Sequence, residues 1–302
     1  MSTFLDALHS GRVLLMDGAM STELQRVGLK PDENAAAWNI LHPKRVRAVH
    51  QAYRAAGAEV LLSNTFLICS PSLNNSLAPV LEPSAHVWPA WQAARKVTGN
   101  DSPPYRLAAI GPVAGNISTR EFDQFEQLWS CWYANKLFDA LLLETCSSPR
   151  VYLAIRAMRK AGDLTDNNVD LPLLLSLTFH RDAGGKVVTF SGHSPEWFAR
   201  RARKYGVAAL GVNCGLDISI ADCAEIIRRY RQVTDLPLFA RPNAGTPKKV
   251  RGRWIYPLTP PQMAESLPEL LEAGVSMVGG CCGTTPEHIA ALRPVVDRWN
   301  AR

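Results

Sequence analysis

Long apolar runs are missing from this sequence, which nowhere approaches the roughly 18 consecutive apolar residues of a membrane-spanning helix. Met1 to Ser10 also lacks a basic leader followed by an apolar core, so the expected location is cytoplasmic, with no membrane partner. Neither GxGxxG nor GxxxxGK[ST] follows any apolar run, which removes the usual nucleotide signature of doubly wound sheets. Strong charge of one sign is lacking too. The formal net charge is +6, and it is scattered. Arg200, Arg201, Arg203 and Lys204, and then Arg228, Arg229 and Arg231, lie in helical patterns as solvated faces. No reader motif accompanies them, so no nucleic-acid partner is expected. Lys248, Lys249, Arg251 and Arg253 fall in a loop, where an acidic substrate or partner surface is the minor alternative. The cysteines number seven, an odd count, and two are adjacent. A secreted disulfide framework explains that poorly; reduced thiols explain it better.

What is present describes a globular chain with a sizeable core: 47% hydrophobic and 20% charged residues over 302 positions. Short apolar runs alternate with longer amphipathic stretches. Eight strands are expected at residues 13–16, 59–63, 106–110, 140–143, 173–177, 208–212, 237–240 and 275–279. Helical periodicity follows most of them, at 43–56, 123–135, 149–161, 195–205, 218–231, 261–273 and 286–299. Proline at 43, 149, 195, 261 and 286 marks helix starts, where its missing N–H is harmless. Strands this apolar, each followed by a covering helix, imply a parallel sheet buried on both faces. Eight such units predict an α/β fold, a (β/α)8 TIM barrel with residues 1–302 as one domain. Residues 70–83 and 243–257 read as irregular loops on the face where barrels place their chemistry.

The strongest chemical signal is Gly279-Gly280-Cys281-Cys282-Gly283-Thr284-Thr285-Pro286. It follows the last strand; the glycines allow a tight turn, and Thr285 with Pro286 opens a helix. Cys214, in Gly211-Val212-Asn213-Cys214-Gly215, occupies the equivalent place after an earlier strand. Barrel closure brings well-separated strand ends to one rim, so the sequence gap is no obstacle. Three thiolates with one open position match a catalytic zinc site, and soft sulfur ligands favour Zn2+ over magnesium or calcium. Three thiolates on Zn2+ carry a net negative charge, a poor setting for making hydroxide. The same setting suits holding a substrate thiol as its thiolate, so alkyl transfer to sulfur is the natural reaction. Cys131 and Cys223 lie in helical patterns as packing; Cys69 and Cys146 follow strands.

Asp17 and Glu144 end other strands, where carboxylates suit a substrate ammonium or, alternatively, cap the next helix. The amides after Asp17, at Gly18 and Ala19, or those after Glu144, are candidate donors to a substrate carboxylate. Asn64 and Asn243 also follow strands and either orient loops or touch substrate; Asn213, beside Cys214, is grouped with them. Glu23 lies inside a first helical turn and reads as structural. His180 and His193 flank a loop and offer a fourth ligand or an acid, or are solvated loop residues.

These residues resemble the homocysteine S-methyltransferase family, which includes the homocysteine-binding module of cobalamin-dependent methionine synthase and betaine–homocysteine methyltransferase. The resemblance runs from Asp17 to His288, through DGAMSTEL at 17–24, WN at 38–39, HQAYRAAGAE at 50–59 and SNTF at 63–66. GVNC at 211–214, PNAG at 242–245 and GGCCGTTPEHI at 279–289 complete it. It implies a (β/α)8 fold, zinc on Cys214, Cys281 and Cys282, and recognition of homocysteine's amino group near Asp17 and Glu144. It also implies methionine as product, with homocysteine and a small-molecule methyl donor as partners. The chain is too short to hold folate and cobalamin modules beside its barrel, so a corrinoid donor would come on a separate protein. Another small thiol as acceptor, or a zinc-thiolate module without turnover, are the alternatives. Ser21, ETCSS at 144–148 and LICSPSLNN at 67–75 depart from the family pattern.

Overall fold

Eight short apolar segments become parallel strands: β1 (Leu14–Leu15), β2 (Val60–Leu62), β3 (Tyr105–Ile110), β4 (Ala140–Cys146), β5 (Leu173–Leu177), β6 (Ala209–Asn213), β7 (Leu238–Arg241) and β8 (Met277–Val278). The structure is a computed structural model and describes residues 3–70, 72–78, 87–98, 105–111, 138–163, 172–251 and 253–302. Each strand from β2 to β8 pairs in parallel with the next, and β8 pairs with β1. A single parallel bridge, Met16 to Val60, joins β1 to β2 and closes the ring. This is the (β/α)8 barrel that the alternation of runs predicts.

Alternation along the strands sorts the core into two layers. Leu14, Met16, Val60, Leu62, Leu107, Ala109, Ala140, Leu142, Leu174, Ala209, Phe239 and Met277 pack together inside the barrel. Their neighbours Leu15, Leu61, Ala108, Leu141, Leu173, Leu210, Leu238 and Val278 pack outward with the helices. Phe239 fills the interior opposite Gly211, its register partner, where a Cβ would lie 2.4 Å from the ring. The short helix Phe4–Leu8 adds Phe4, Ala7 and Leu8 to the inner layer. Phe4 meets Tyr105, the first residue of β3, edge-on at 5.6 Å, so this helix covers the N-terminal end of the barrel. The opposite end is left for the site.

Helix starts follow the proline and cap signals. Pro43, Pro195 and Pro286 are first helical residues of Pro43–Ala55, Pro195–Ala202 and Pro286–Asn300. Ser219 and Asp222 form a capping box that starts Ile220–Arg231 two residues later than expected. Arg203–Tyr205 continues Pro195–Ala202 as a 3-10 turn rather than as α-helix. The expected helix at 123–135, with Cys131, lies outside the described residues. Two expected loops carry regular structure instead. Ser72–Leu77 is helical, and Lys248–Val250 pairs with Arg253–Ile255 as an antiparallel hairpin. Ser and Asn in the first, and Lys and Arg in the second, hide these elements, since short polar segments lack an apolar period. Among the described residues, no helix is long and apolar enough to cross a membrane.

Candidate metal centre and acceptor pocket

The turns after β6 and β8 bring three thiols together at the C-terminal rim. Cys214 Sγ lies 3.9 Å from Cys282 Sγ, and Cys281 Sγ lies 4.0 Å from Cys282 Sγ. All three sulfurs fall within 4.8 Å of one another. The backbone after β7 stitches the turns in place: Cys281 N–H donates to Pro242 O at 2.8 Å, and Ala244 N–H donates to Cys282 O at 3.0 Å. Cys214 holds its position with φ at +60°, a left-handed conformation uncommon outside glycine. Gly283, at φ +78°, leaves room for Tyr256, whose ring would sit 2.2 Å from a Cβ there. Burial, and then the neighbouring Cys282, raises the Tyr256 hydroxyl above its ordinary value.

The electrostatics of this cluster ask for a cation. Hydrogen bonds from Cys281 and then Cys282 draw the Cys214 thiol well below its ordinary value. Cys281 and Cys282 are pushed up, first by those same bonds to Cys214. Each further thiolate would face another, so a cation is what allows all three to ionise together. The spacing fits zinc: a Zn–S length of about 2.3 Å in tetrahedral geometry places sulfurs roughly 3.8 Å apart. Among the described residues no other cysteine, histidine or carboxylate joins the group. Three donors with one position left over match a catalytic rather than a structural zinc set.

Asn213, the last residue of β6, ties the cluster to β4 and β5. Its Oδ1 accepts from Ser176 Oγ at 2.5 Å and from Thr145 N–H at 3.2 Å. Its Nδ2 donates to Thr145 Oγ1 at 2.7 Å and approaches Cys281 Sγ at 3.7 Å. Thr145 also has a left-handed φ, +61°, and the β4–β5 register shifts between Leu143 and Cys146. A β-branched residue rarely adopts that φ, and such strain clusters at functional sites.

Glu144 and Arg241 continue the inward-facing series of Leu142 and Phe239, one alternation above the apolar interior. Arg241 is buried, 3% exposed, and donates through Nη1 to Glu144 Oε1. Its Nη2 donates to Asp17 Oδ1 at 3.3 Å and to Gly18 O at 3.2 Å. Asp17 Oδ2 accepts Leu62 N–H at 2.8 Å. Burial pushes Asp17 up to about 7 and Glu144 up to about 7, more strongly than the Arg241 charge pulls either down. Burial opposes the Arg241 charge as well, but Glu144 and then Asp17 outweigh it and hold Arg241 above its ordinary value.

The remaining expected residues divide. Ala19 N–H is taken by Thr284 Oγ1 at 3.0 Å, and Gly18 contributes a carbonyl acceptor to Arg241. The Ala19 amide is thus already engaged within the protein, while the Gly18 bond involves only its carbonyl. Asn64 Nδ2 donates to Ala35 O at 2.6 Å, with Asn39 Oδ1 at 3.3 Å, which favours loop orientation over substrate contact. Asn243 Nδ2 donates to Gly215 O at 2.9 Å, while its buried Oδ1 has no partner among the described residues. His180 stacks on Phe190 at 4.7 Å and His193 meets Trp197 edge-on at 4.4 Å, so both histidines pack against aromatic rings. Cys146 is buried, and burial with the Glu144 charge pushes its thiol up to about 12.

Arg241 and Tyr256 are absent from the sequence expectations. Arg241 closes the apolar run Leu238-Phe239-Ala240, the same charged-end-of-strand signal that singles out Asp17 and Glu144. His288 looks chemical in the GTTPEHI run, yet it caps its own helix. Its Nδ1 lies 3.2 Å from Thr285 N and its Nε2 lies 2.9 Å from Leu258 O.

Comparison with known proteins agrees with this geometry. A sequence model described as homocysteine S-methyltransferase matches residues 14–296. Methionine synthase of Mycobacterium leprae is 28% identical over 306 residues, which cover 96% of this chain and 25% of that protein. Methionine synthase of Mycobacterium tuberculosis is 29% identical over 315 residues, covering 97% and 25%. The chain thus spans about a quarter of the length of these relatives. The crystal structure of the homocysteine methyltransferase MmuM from Escherichia coli, apo form, is similar with a TM-score of 0.61 at 25% identity, covering 93% of this chain and 95% of that one. Its metallated form gives 0.69 at 22% identity, covering 96% and 99%. With the family model matched over nearly its whole length, this chain belongs to the homocysteine S-methyltransferase family.

Proposed function

We propose that this protein is a zinc-dependent S-methyltransferase that moves a methyl group from an activated donor to the thiol of homocysteine, giving methionine. The observation that carries this reading is the convergence of Cys214, Cys281 and Cys282 within 4.8 Å, on the same rim as Asp17, Arg241 and Glu144. Zinc, when bound by the three cysteines, supplies a place where the acceptor thiol is held as its thiolate. The chain's own groups supply the rest. Asn213 fixes the β4 and β6 ends and reaches Cys281, so the cluster keeps one shape through the reaction. The Asp17–Arg241–Glu144 group carries one net negative charge when both acids are ionised, which matches one ammonium group.

In the transfer, the acceptor sulfur forms a bond to the methyl carbon while the donor–methyl bond breaks and its electron pair stays with the donor. The donor is therefore one whose methyl is already activated: a sulfonium, a quaternary ammonium or a methylcorrinoid. Residues 1–302 act in this reading as one homocysteine-binding barrel in the cytoplasm.

Methionine formation by zinc-loaded protein, from homocysteine and each of the three donor classes, tests the proposal. Turnover with homocysteine supports it. Turnover confined to another small thiol, or none with any donor, would replace it with one of the two alternatives.

A further inference from the structure

Once an acceptor thiol joins Cys214, Cys281 and Cys282, four sulfurs stand within reach of one methyl group. Shielding does not single out the acceptor, because all three cysteines are only partly buried. A methylated cysteine is a neutral thioether, so a stray transfer would permanently weaken the metal set.

Each cysteine has its own polar neighbour. Asn213 Nδ2 donates to Cys281 Sγ at 3.7 Å, and the same carboxamide is fixed by Thr145 and Ser176. At Cys214, after the bonds from Cys281 and Cys282 and against burial, the Gly215 N–H and then the Asn243 carboxamide draw the thiol down. Asn243 is itself buried and anchored on Gly215 O at 2.9 Å. At Cys282 the neighbour is the Tyr256 hydroxyl, on a ring seated over Gly283. A donor beside a thiolate withdraws electron density from the sulfur and makes it a weaker nucleophile, while leaving it able to bind a metal. The acceptor sulfur arrives without such a partner, since both carboxamides are already held within the protein.

We propose that Asn213, Asn243 and Tyr256 are positioning residues that each cap one ligand thiolate, Cys281, Cys214 and Cys282 in turn, and so direct the methyl group to the uncapped acceptor sulfur. This rests on the zinc–thiol reading. In the stray reaction that the caps suppress, the cysteine sulfur forms a bond to the methyl carbon, the donor–methyl bond breaks, and the electron pair leaves with the donor.

The experiment exposes zinc-loaded protein, without acceptor, to methyl iodide and follows methylation of each cysteine by tandem mass spectrometry, which separates Cys281 from Cys282. Methyl iodide reports on the three sulfurs whatever the natural donor or acceptor is. Tyr256→Phe should raise the rate at Cys282 about tenfold, near one lost hydrogen bond, with Cys214 and Cys281 within about threefold of wild type. Asn213→Ala should do the same at Cys281. Asn243→Ala should raise the rate at Cys214 by less, about threefold, because the Gly215 N–H remains. Zinc content of the same samples should match wild type.

A rise shared by all three cysteines, as general loosening would give, overturns the assignment. So does a rise at a cysteine other than the one named, or none in Tyr256→Phe. That variant loses only a hydroxyl, and it decides the matter if an asparagine variant fails to fold or to load zinc. Wild type that binds no zinc overturns the metal reading itself, a separate result.

Discussion

The carboxamide of Asn213 holds Thr145 from both sides, accepting its N–H at 3.2 Å and donating to its Oγ1 at 2.7 Å. Thr145 needs that hold, because its φ of +61° disfavours a β-branched side chain. Asn213→Ala should destabilise the protein by about 2–3 kcal/mol, since Ser176 Oγ and Thr145 lose buried partners. Denaturant midpoints on metal-free protein measure this. Adding Thr145→Gly should return about 1 kcal/mol by relieving the left-handed strain; an additive double variant would show that the two residues are uncoupled.

Removal of any one thiol should release the metal. Purified Cys214→Ala, Cys281→Ala and Cys282→Ala proteins are expected to hold little zinc by mass spectrometry of the digested sample. Chelation of wild type should lower its melting temperature, because a ligand bound only by the folded state adds stability. Undiminished zinc in all three variants would remove the metal assignment. Cys214→Gly should be more stable than Cys214→Ala by about 1 kcal/mol, glycine being free of the φ penalty at +60°.

Stability of the metal-free protein should fall as pH rises through the weakly acidic range. Asp17 is lifted from 3.8 to about 7 and Glu144 from 4.5 to about 7, so the folded state keeps protons that the unfolded chain has released. A group whose folded pKa is raised contributes stability below its unfolded pKa and loses it as pH climbs through the folded value. The denaturation midpoint should thus decline between pH 4 and 7. Glu144→Gln should flatten that decline. A midpoint that instead rises over the same window in wild type, with no change in the variant, would contradict the upward shift that burial imposes on these acids.

Gly211→Ala should disturb the barrel interior without touching the site. The new Cβ would meet the Phe239 ring at 2.4 Å, and overpacking of this kind costs about 1–3 kcal/mol. Phe239→Leu in the same chain should recover part of the loss, a rescue that thermal melts would reveal.

Much of this was legible in the sequence because it is written locally. Each barrel strand is a short apolar run, and the cysteines stand on glycine turns at strand ends, so periodicity and punctuation were enough. The boundaries of 13–16 and 275–279 shrank to two-residue strands, where Asp17 and Gly279 begin to serve the rim. Arg241 was missed because its role exists only where three strand ends meet, a relation no window of sequence contains. Where the polar groups of Ala19 and Asn64 find their partners was illegible for a similar reason. Their bonds go to Thr284 and Ala35, far off or out of phase along the chain, and a free-looking polar group reads the same whether or not a partner awaits it.

The join between β1 and β2 gives Asp17 a second importance. One backbone bridge closes the ring there, and beside it Asp17 N–H donates to Val60 O at 2.9 Å while its carboxylate takes Leu62 N–H at 2.8 Å. Gly280 N–H, leading into the cysteine turn, donates to Asp17 O at 3.0 Å. A residue that fastens both seams of the weakest strand has little freedom to vary. Selection for new acceptor thiols, in a mutant library or in descent, should therefore draw its changes from Glu144 and Arg241 and leave Asp17 alone, because a variant there falls below the folding threshold before its altered chemistry can be tried.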